Sequence, residues 1–127
     1  MNKSRIKLLI FDFDGTLADT KQFYIDAIRK VLGNRGFSLP EKSVERVLGN
    51  RVEGLLSMLG IKEGISLLKR EINDYAIRRA GSLKPCPFVQ EINKINLVKV
   101  IVSNSLVKFM MPFIKKQNLD FDEVIGP

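Results

Sequence analysis

The sequence predicts an α/β fold with a parallel sheet and an all-helical segment inserted after the first strand. Three observations predict it. An apolar run, Ile6 to Phe11, closes in a turn at Gly15-Thr16, which is the signature of a strand leading into a loop. Helical periodicity without a convincing strand then fills residues from about 19 to 84. From Phe88 to Ile125 the signals run helix, strand, helix, strand. Strands that alternate with helices build a parallel sheet with right-handed crossovers.

The first run, rich in Ile, Leu and Phe, reads as a buried strand. It ends in two carboxylates one residue apart, Asp12 and Asp14. Strand alternation puts both on one side and Phe11 and Phe13 on the other. Each carboxylate loses hydration there and repels its neighbour unless a cation or hydrogen-bond donors compensate. That cost is the first sign of a site. The plain alternative is an Asp-rich turn whose side chains only cap backbone N–H groups.

The helical insertion opens at Asp19-Thr20-Lys21-Gln22, with Asp19 as cap and Gln22 reaching back. Ile25, Ile28 and Leu32 share a face, and Gly33-Asn34 end that helix. Ser38-Leu39-Pro40-Glu41 reads as a second capping box before a short helix carrying Val44, Val47 and Leu48 and stopping at Gly49-Asn50. Leu55, Leu56, Met58 and Leu59 indicate a third helix. Glu63 to Ala80 is the longest pattern, with Ile65, Leu68 and Ile72 facing inward and Gly81 as its stop. Pro85-Cys86-Pro87 breaks the pattern. A helix from about Phe88 to Ile95 leads into the β-branched run Leu97 to Val102, which ends in Ser103-Asn104. Ser105 can cap a helix bearing Leu106, Phe109, Met110, Phe113 and Ile114, and Phe121 to Ile125 is the third strand. Ligands of such sheets bind beyond the carboxyl ends of the strands. Asp12-Asp14 and Ser103-Asn104 both fall on that edge.

Composition narrows the chemistry. The chain has 127 residues, 45% hydrophobic and 28% charged, an ordinary globular balance that suits one domain or a small core with an insertion. There is no His, so His acid–base catalysis, a Ser-His-Asp triad and His zinc sites are excluded. A single cysteine, Cys86, excludes a disulfide framework. The net charge is +7, which suits anionic partners or simply solvated helix faces. Its basic residues are dispersed, so no nucleic-acid partner is expected. No apolar stretch reads as a membrane span, and Asn2-Lys3-Ser4 is a glycosylation sequon only for a secreted chain. A cytoplasmic location without membrane partners is the default expectation.

Asp12-Phe13-Asp14-Gly15-Thr16-Leu17 resembles the first motif of the haloacid dehalogenase (HAD) superfamily, mainly Mg2+-dependent phosphatases and phosphotransferases. Val102-Ser103-Asn104-Ser105 resembles its second motif, an apolar strand ending in Ser or Thr. The resemblance implies a Rossmann-like three-layer core of residues 1–18 and 85–127. It implies a small helical cap at 19–84, as in phosphoglycolate-phosphatase-like members. It also implies Asp12 as nucleophile forming an aspartyl-phosphate, and Asp14 as the acid that protonates the leaving oxygen and then activates water. Mg2+ would lie between Asp12, the Asp14 backbone carbonyl and the phosphate. Gly15 would let the backbone approach, Thr16 would orient Asp14, and Ser103, Asn104 and nearby N–H groups would hold phosphate oxygens. Ser103 and Ser105 acting only as helix caps is the alternative.

The second Asp of the pair favours phosphoester hydrolysis or phosphosugar transfer over dehalogenation or ion pumping. The expected site design is that of hydrolysis of a small phosphorylated metabolite, with efficient turnover by the 127-residue form itself not expected. The alternatives are a phosphosugar mutase using the same intermediate and a non-catalytic phosphate-binding remnant. Lys42, Arg35, Arg46 and Arg51 are cap charges that either meet the anionic part of a substrate or, as is expected of most, stay solvated, none singled out. The family's later Lys and its acidic pair have no counterpart, because Lys115 and Lys116 precede the third strand. The family core is therefore expected to be incomplete, with Lys7 to Phe11 as an apolar edge. Such an edge fits either a truncated enzyme or a homodimer pairing through it.

Overall fold

A computed structural model describes residues 5–46 and 52–127. Val47, Leu48, Gly49, Asn50 and Arg51, and the Asn2-Lys3-Ser4 sequon, lie outside the described residues. The chain divides into two compact units, Met1–Thr20 with Ala80–Pro127, and Lys21–Arg79.

The first unit holds a parallel sheet of β1 (Leu8–Phe11), β4 (Val98–Val102) and β5 (Glu123–Ile125), in the order β1-β4-β5. Leu8 pairs with Val98 and Phe11 with Ile101, while Val100 pairs with Glu123 and Val102 with Ile125. The α/β fold and its parallel strands agree with the periodicity. Two short strands, β2 (Ala18–Asp19) and β3 (Lys84–Pro85), pair antiparallel where the chain leaves this unit and returns to it. The reading of 19–84 as wholly helical missed them, because two-residue strands carry no alternation to detect.

One face of the sheet is packed. Helix α5 (Val107–Lys116) buries Phe109, Met110, Phe113 and Ile114, the residues its periodicity selects. Phe13 is fully buried, edge-on to Phe109 at a centroid spacing of 6.0 Å and to Phe113 at 5.4 Å. Such edge-to-face pairs add to the burial of the ring. A 3-10 helix, Val89–Lys94, stands where an α-helix was expected. Its carbonyl end is closed by Lys99, a buried lysine inside the apolar β4 run. The Lys99 ammonium donates to the carbonyls of Ile92 at 3.1 Å and Ile95 at 2.9 Å. The Lys99 main chain exchanges 2.8 Å bonds with Asp122.

The opposite face is open, which corrects the reading of Ile6 to Phe11 as a buried strand. Register and alternation bring Leu8, Ile10, Val98, Val102 and Ile125 onto it, and Ile10 is 64% and Leu8 47% exposed. β1 also forms one edge of the sheet.

The second unit packs α1 (Lys21–Gly33), α2 (Glu41–Glu45), α3 (Val52–Met58) and α4 (Ile65–Arg79) around Ile25, Ile28, Leu32, Val44, Leu55, Leu56, Leu68 and Ile72. The second expected capping box does not form, and the residues of the first have other partners. Asp19 pairs with Lys84 in β2, and Gln22 donates forward to Asp26 at 3.0 Å. α2 is capped at Pro40, without a side-chain bond. α4 starts later than Glu63 because Gly64 takes φ +69°, outside helical space.

Two outcomes check this description. Lys99→Met keeps most of the stem but leaves two carbonyls without a donor. Urea unfolding should show a loss of about 1–3 kcal/mol, and an unchanged midpoint would contradict the role given to the ammonium. Ile10→Lys, on the open face, should change stability by no more than about 0.5 kcal/mol in the same urea titration, and a larger loss would contradict the exposure given to Ile10.

Candidate active site at the strand ends

The loop after β1 is built on Phe13. With its ring held in the core, its carbonyl accepts the N–H groups of Thr16 (3.2 Å), Leu17 (2.9 Å) and Ala18 (3.2 Å). Gly15 donates to the Ala18 carbonyl at 2.9 Å. Gly15 sits at φ +73°, and a Cβ there would meet nothing within 4 Å. Its glycine is thus required by conformation, since side chains are disfavoured at positive φ.

The two aspartates flank this anchor and differ. Asp12 is exposed, and its Oδ1 accepts the Phe13 N–H at 2.7 Å; no hydrogen bond to Oδ2 is found among the described residues. Asp14 is half-buried. Its Oδ2 accepts the Ser105 hydroxyl at 2.6 Å and the Ser103 hydroxyl at 3.4 Å. Its Oδ1 is buried without a hydrogen-bond partner among the described residues. The desolvation expected of both carboxylates therefore falls on Asp14.

Ser103 extends β4, and its N–H donates to the Ile125 carbonyl at 3.0 Å, while its Oγ accepts the Ser105 N–H at 3.0 Å. Asn104 is exposed between the two serines. The structure brings Asp14, Ser103 and Ser105 together, with Asp12, Gly15 and Thr16 on the adjoining loop. Among the described residues the hydroxyls on Asp14 come from Ser103 and Ser105 and not from Thr16, whose N–H serves the turn.

Ser105 is not the helix cap that its position suggests. α5 is capped at Leu106 without a side-chain bond, and the Ser105 hydroxyl is spent on Asp14. Gly126 also escaped the sequence reading. A Cβ there would stand 2.6 Å from the Ser105 carbonyl and 3.2 Å from Val107, so the close approach of the chain to this loop needs glycine. No local pattern marks either residue, because both roles depend on contacts across the sheet.

Cys86 offers no competing nucleophile. Burial, and then the charge of Asp19, push its thiol above the usual cysteine range, so it stays protonated at neutral pH. Of the basic residues noted in the helical unit, Arg35 is committed to Glu71 at 2.6 Å, and Lys42 and Arg46 are exposed. Two open concavities of about 560 and 480 Å3 lie on the second unit, one lined by Arg29, Lys30 and Tyr75 among others, the other by Arg35, Glu71 and Arg78. Neither is lined by Asp12, Asp14, Ser103 or Ser105.

A cation is compatible with this loop. Among the described residues no group of three His, Cys, Asp or Glu is poised to hold a metal. Hard cations such as Mg2+, however, take one or two carboxylates and complete their shell with water and phosphate oxygens. Asp12 supplies an open carboxylate oxygen, and the buried Oδ1 of Asp14 is an unmet acceptor. No helix among the described residues is long and apolar enough to cross a membrane.

Comparisons with known proteins agree with this fold. Three solved structures share the fold. A candidate phosphoglycolate phosphatase from Lactobacillus plantarum is 17% identical, with TM-score 0.75, covering 94% of this chain and 60% of that one. A candidate β-phosphoglucomutase from Thermotoga maritima is 23% identical, with TM-score 0.71, covering 95% and 61%. A HAD-hydrolase from Bacillus subtilis, described as bound to magnesium, is 16% identical, with TM-score 0.76, covering 96% and 65%. The chain thus spans 60% to 65% of the length of these relatives. No curated protein sequence matches it. The profile of haloacid dehalogenase-like hydrolases matches residues 9–126, and the chain belongs to that family.

Proposed function

We propose that the site is that of a Mg2+-dependent phosphomonoester hydrolase acting on a small phosphorylated metabolite through an aspartyl-phosphate. The observation that supports it most is the division of labour between the two aspartates. One is exposed with a free oxygen, and the other is held by hydroxyl groups in a half-buried seat.

In the first step Asp12 Oδ2 attacks phosphorus and the P–O bond to the leaving group breaks. The Phe13 N–H on Oδ1 fixes the carboxylate's orientation and leaves the other oxygen to react. Asp14 gives its proton to the departing oxygen. In the second step Asp14 takes a proton from water as the water oxygen bonds to phosphorus, and Asp12 leaves as a carboxylate with release of phosphate. Ser103 and Asn104, at the end of β4, would contact the phosphate oxygens. Asp12 and the Asp14 main-chain carbonyl would hold Mg2+. When bound, the ion offsets the negative charge of the carboxylate and phosphate and polarises the phosphoryl oxygens.

The likeness of fold to a candidate mutase does not favour phosphosugar transfer, since that likeness extends to the phosphatases equally. The cheap discriminator is whether phosphate is released to water or moved between hydroxyls.

The test is p-nitrophenyl phosphate hydrolysis with and without Mg2+. Turnover should disappear with excess EDTA, return on Mg2+ addition, and fall at least about 10³-fold in Asp12→Asn, the scale of losing a nucleophile. Hydrolysis that survives Asp12→Asn would overturn the aspartyl-phosphate reading.

A further inference from the structure

We propose that Ser105 is a positioning residue that seats the Asp14 carboxylate. The structure carries this on three observations that converge on one residue. The Ser105 hydroxyl donates to Asp14 Oδ2 at 2.6 Å, much shorter than the 3.4 Å from Ser103. That separation lies at the short end of the range for O–H···O bonds. The Ser105 N–H binds Ser103 Oγ at 3.0 Å, so the two serines form one unit around the same carboxylate oxygen. Ser105 itself is 8% exposed, and its carbonyl is backed by Gly126, where a Cβ would come within 2.6 Å. The residue is clamped from behind and bonded in front.

The seat matters because the other oxygen does not hold it. Asp14 Oδ1 is buried and without a partner among the described residues. A buried acceptor left unmet is unfavourable, and a carboxylate free to turn would carry it toward water. The Ser105 bond is the interaction that opposes this rotation. Ser103 alone, at 3.4 Å, lies beyond the usual range for O–H···O bonds.

This assignment deepens the reading of Asp14 as acid and base, and its functional consequence rests on that reading; the seat itself does not. The first experiment therefore needs no turnover. The intact chain is labelled with a water-soluble carbodiimide and glycine ethyl ester, and the rates at individual carboxyl groups are read by peptide mass spectrometry. In the unaltered chain Asp14 should label much more slowly than the exposed Asp12. In Ser105→Ala, Asp14 should label about tenfold faster, the ratio set by losing one hydrogen bond to a charged group, while Asp12 and Asp120 keep their rates. Ser105→Thr retains the hydroxyl and should restore protection. Asp14 rates that are equal in all three chains would overturn the proposal. A general rise at every carboxyl group would also overturn it, because it would report loosened packing and not a seat.

The second experiment compares an alkyl phosphate with p-nitrophenyl phosphate. A poor leaving group needs the proton from Asp14 and a good one does not. Ser105→Ala should lower kcat on the alkyl ester about tenfold more than on the nitrophenyl ester, with Thr recovering both. An equal loss on both esters would place Ser105 on the phosphate and overturn the assignment. If the unaltered chain hydrolyses neither, the proposed function fails and the labelling result alone decides the role of Ser105.

Discussion

The site hangs on Phe13. Its ring is locked edge-on between Phe109 and Phe113, and its carbonyl gathers three successive amides. One residue therefore ties the packed core to the loop. Because Asp12 and Asp14 are its immediate neighbours, fixing Phe13 fixes where both carboxylates start. The aromatic packing and the proposed chemistry are consequences of a single backbone placement. Preorganisation of this kind is what reacting groups require, since small misplacements lose rate steeply.

The same placement makes the pair unequal. Asp12 follows the strand outward and reaches solvent, with one oxygen held by the next amide. Asp14 turns in toward the end of β4 and meets hydroxyls presented by a neighbouring strand. Two chemically identical side chains thus acquire different surroundings from the turn between them. Environments that differ in this way let two carboxylates take different tasks.

Much of this was legible in the sequence. The aspartate pair with Gly15 and Thr16, the Ser103 strand end, the three parallel strands and the amphipathic face of α5 all follow from short-range patterns. What was not legible depends on contacts distant in sequence. Ser105 looks like a helix cap until Asp14, in the loop after β1, claims its hydroxyl. Gly126 looks like a chain-end glycine until the Ser105 carbonyl is placed against it. The second capping box failed because Pro40 supplies the turn into α2, and in the first Asp19 is drawn into the β2–β3 pair. Lys99 interrupts an apolar run without breaking it, since its ammonium finds carbonyls at the end of a 3-10 helix. The run Leu8 to Phe11 looks buried because apolar content does not say how many faces of a sheet are covered.

The most direct test of the central claim, that the carboxylate loop forms a phosphoryl-accepting site, is 19F NMR of the chain with Mg2+ and fluoroberyllate, a mimic of the phosphoryl group on a carboxylate. Bound fluorine resonances that require Mg2+ and vanish in Asp12→Asn are the result this account predicts. No bound signal, or one that persists in Asp12→Asn, would contradict it.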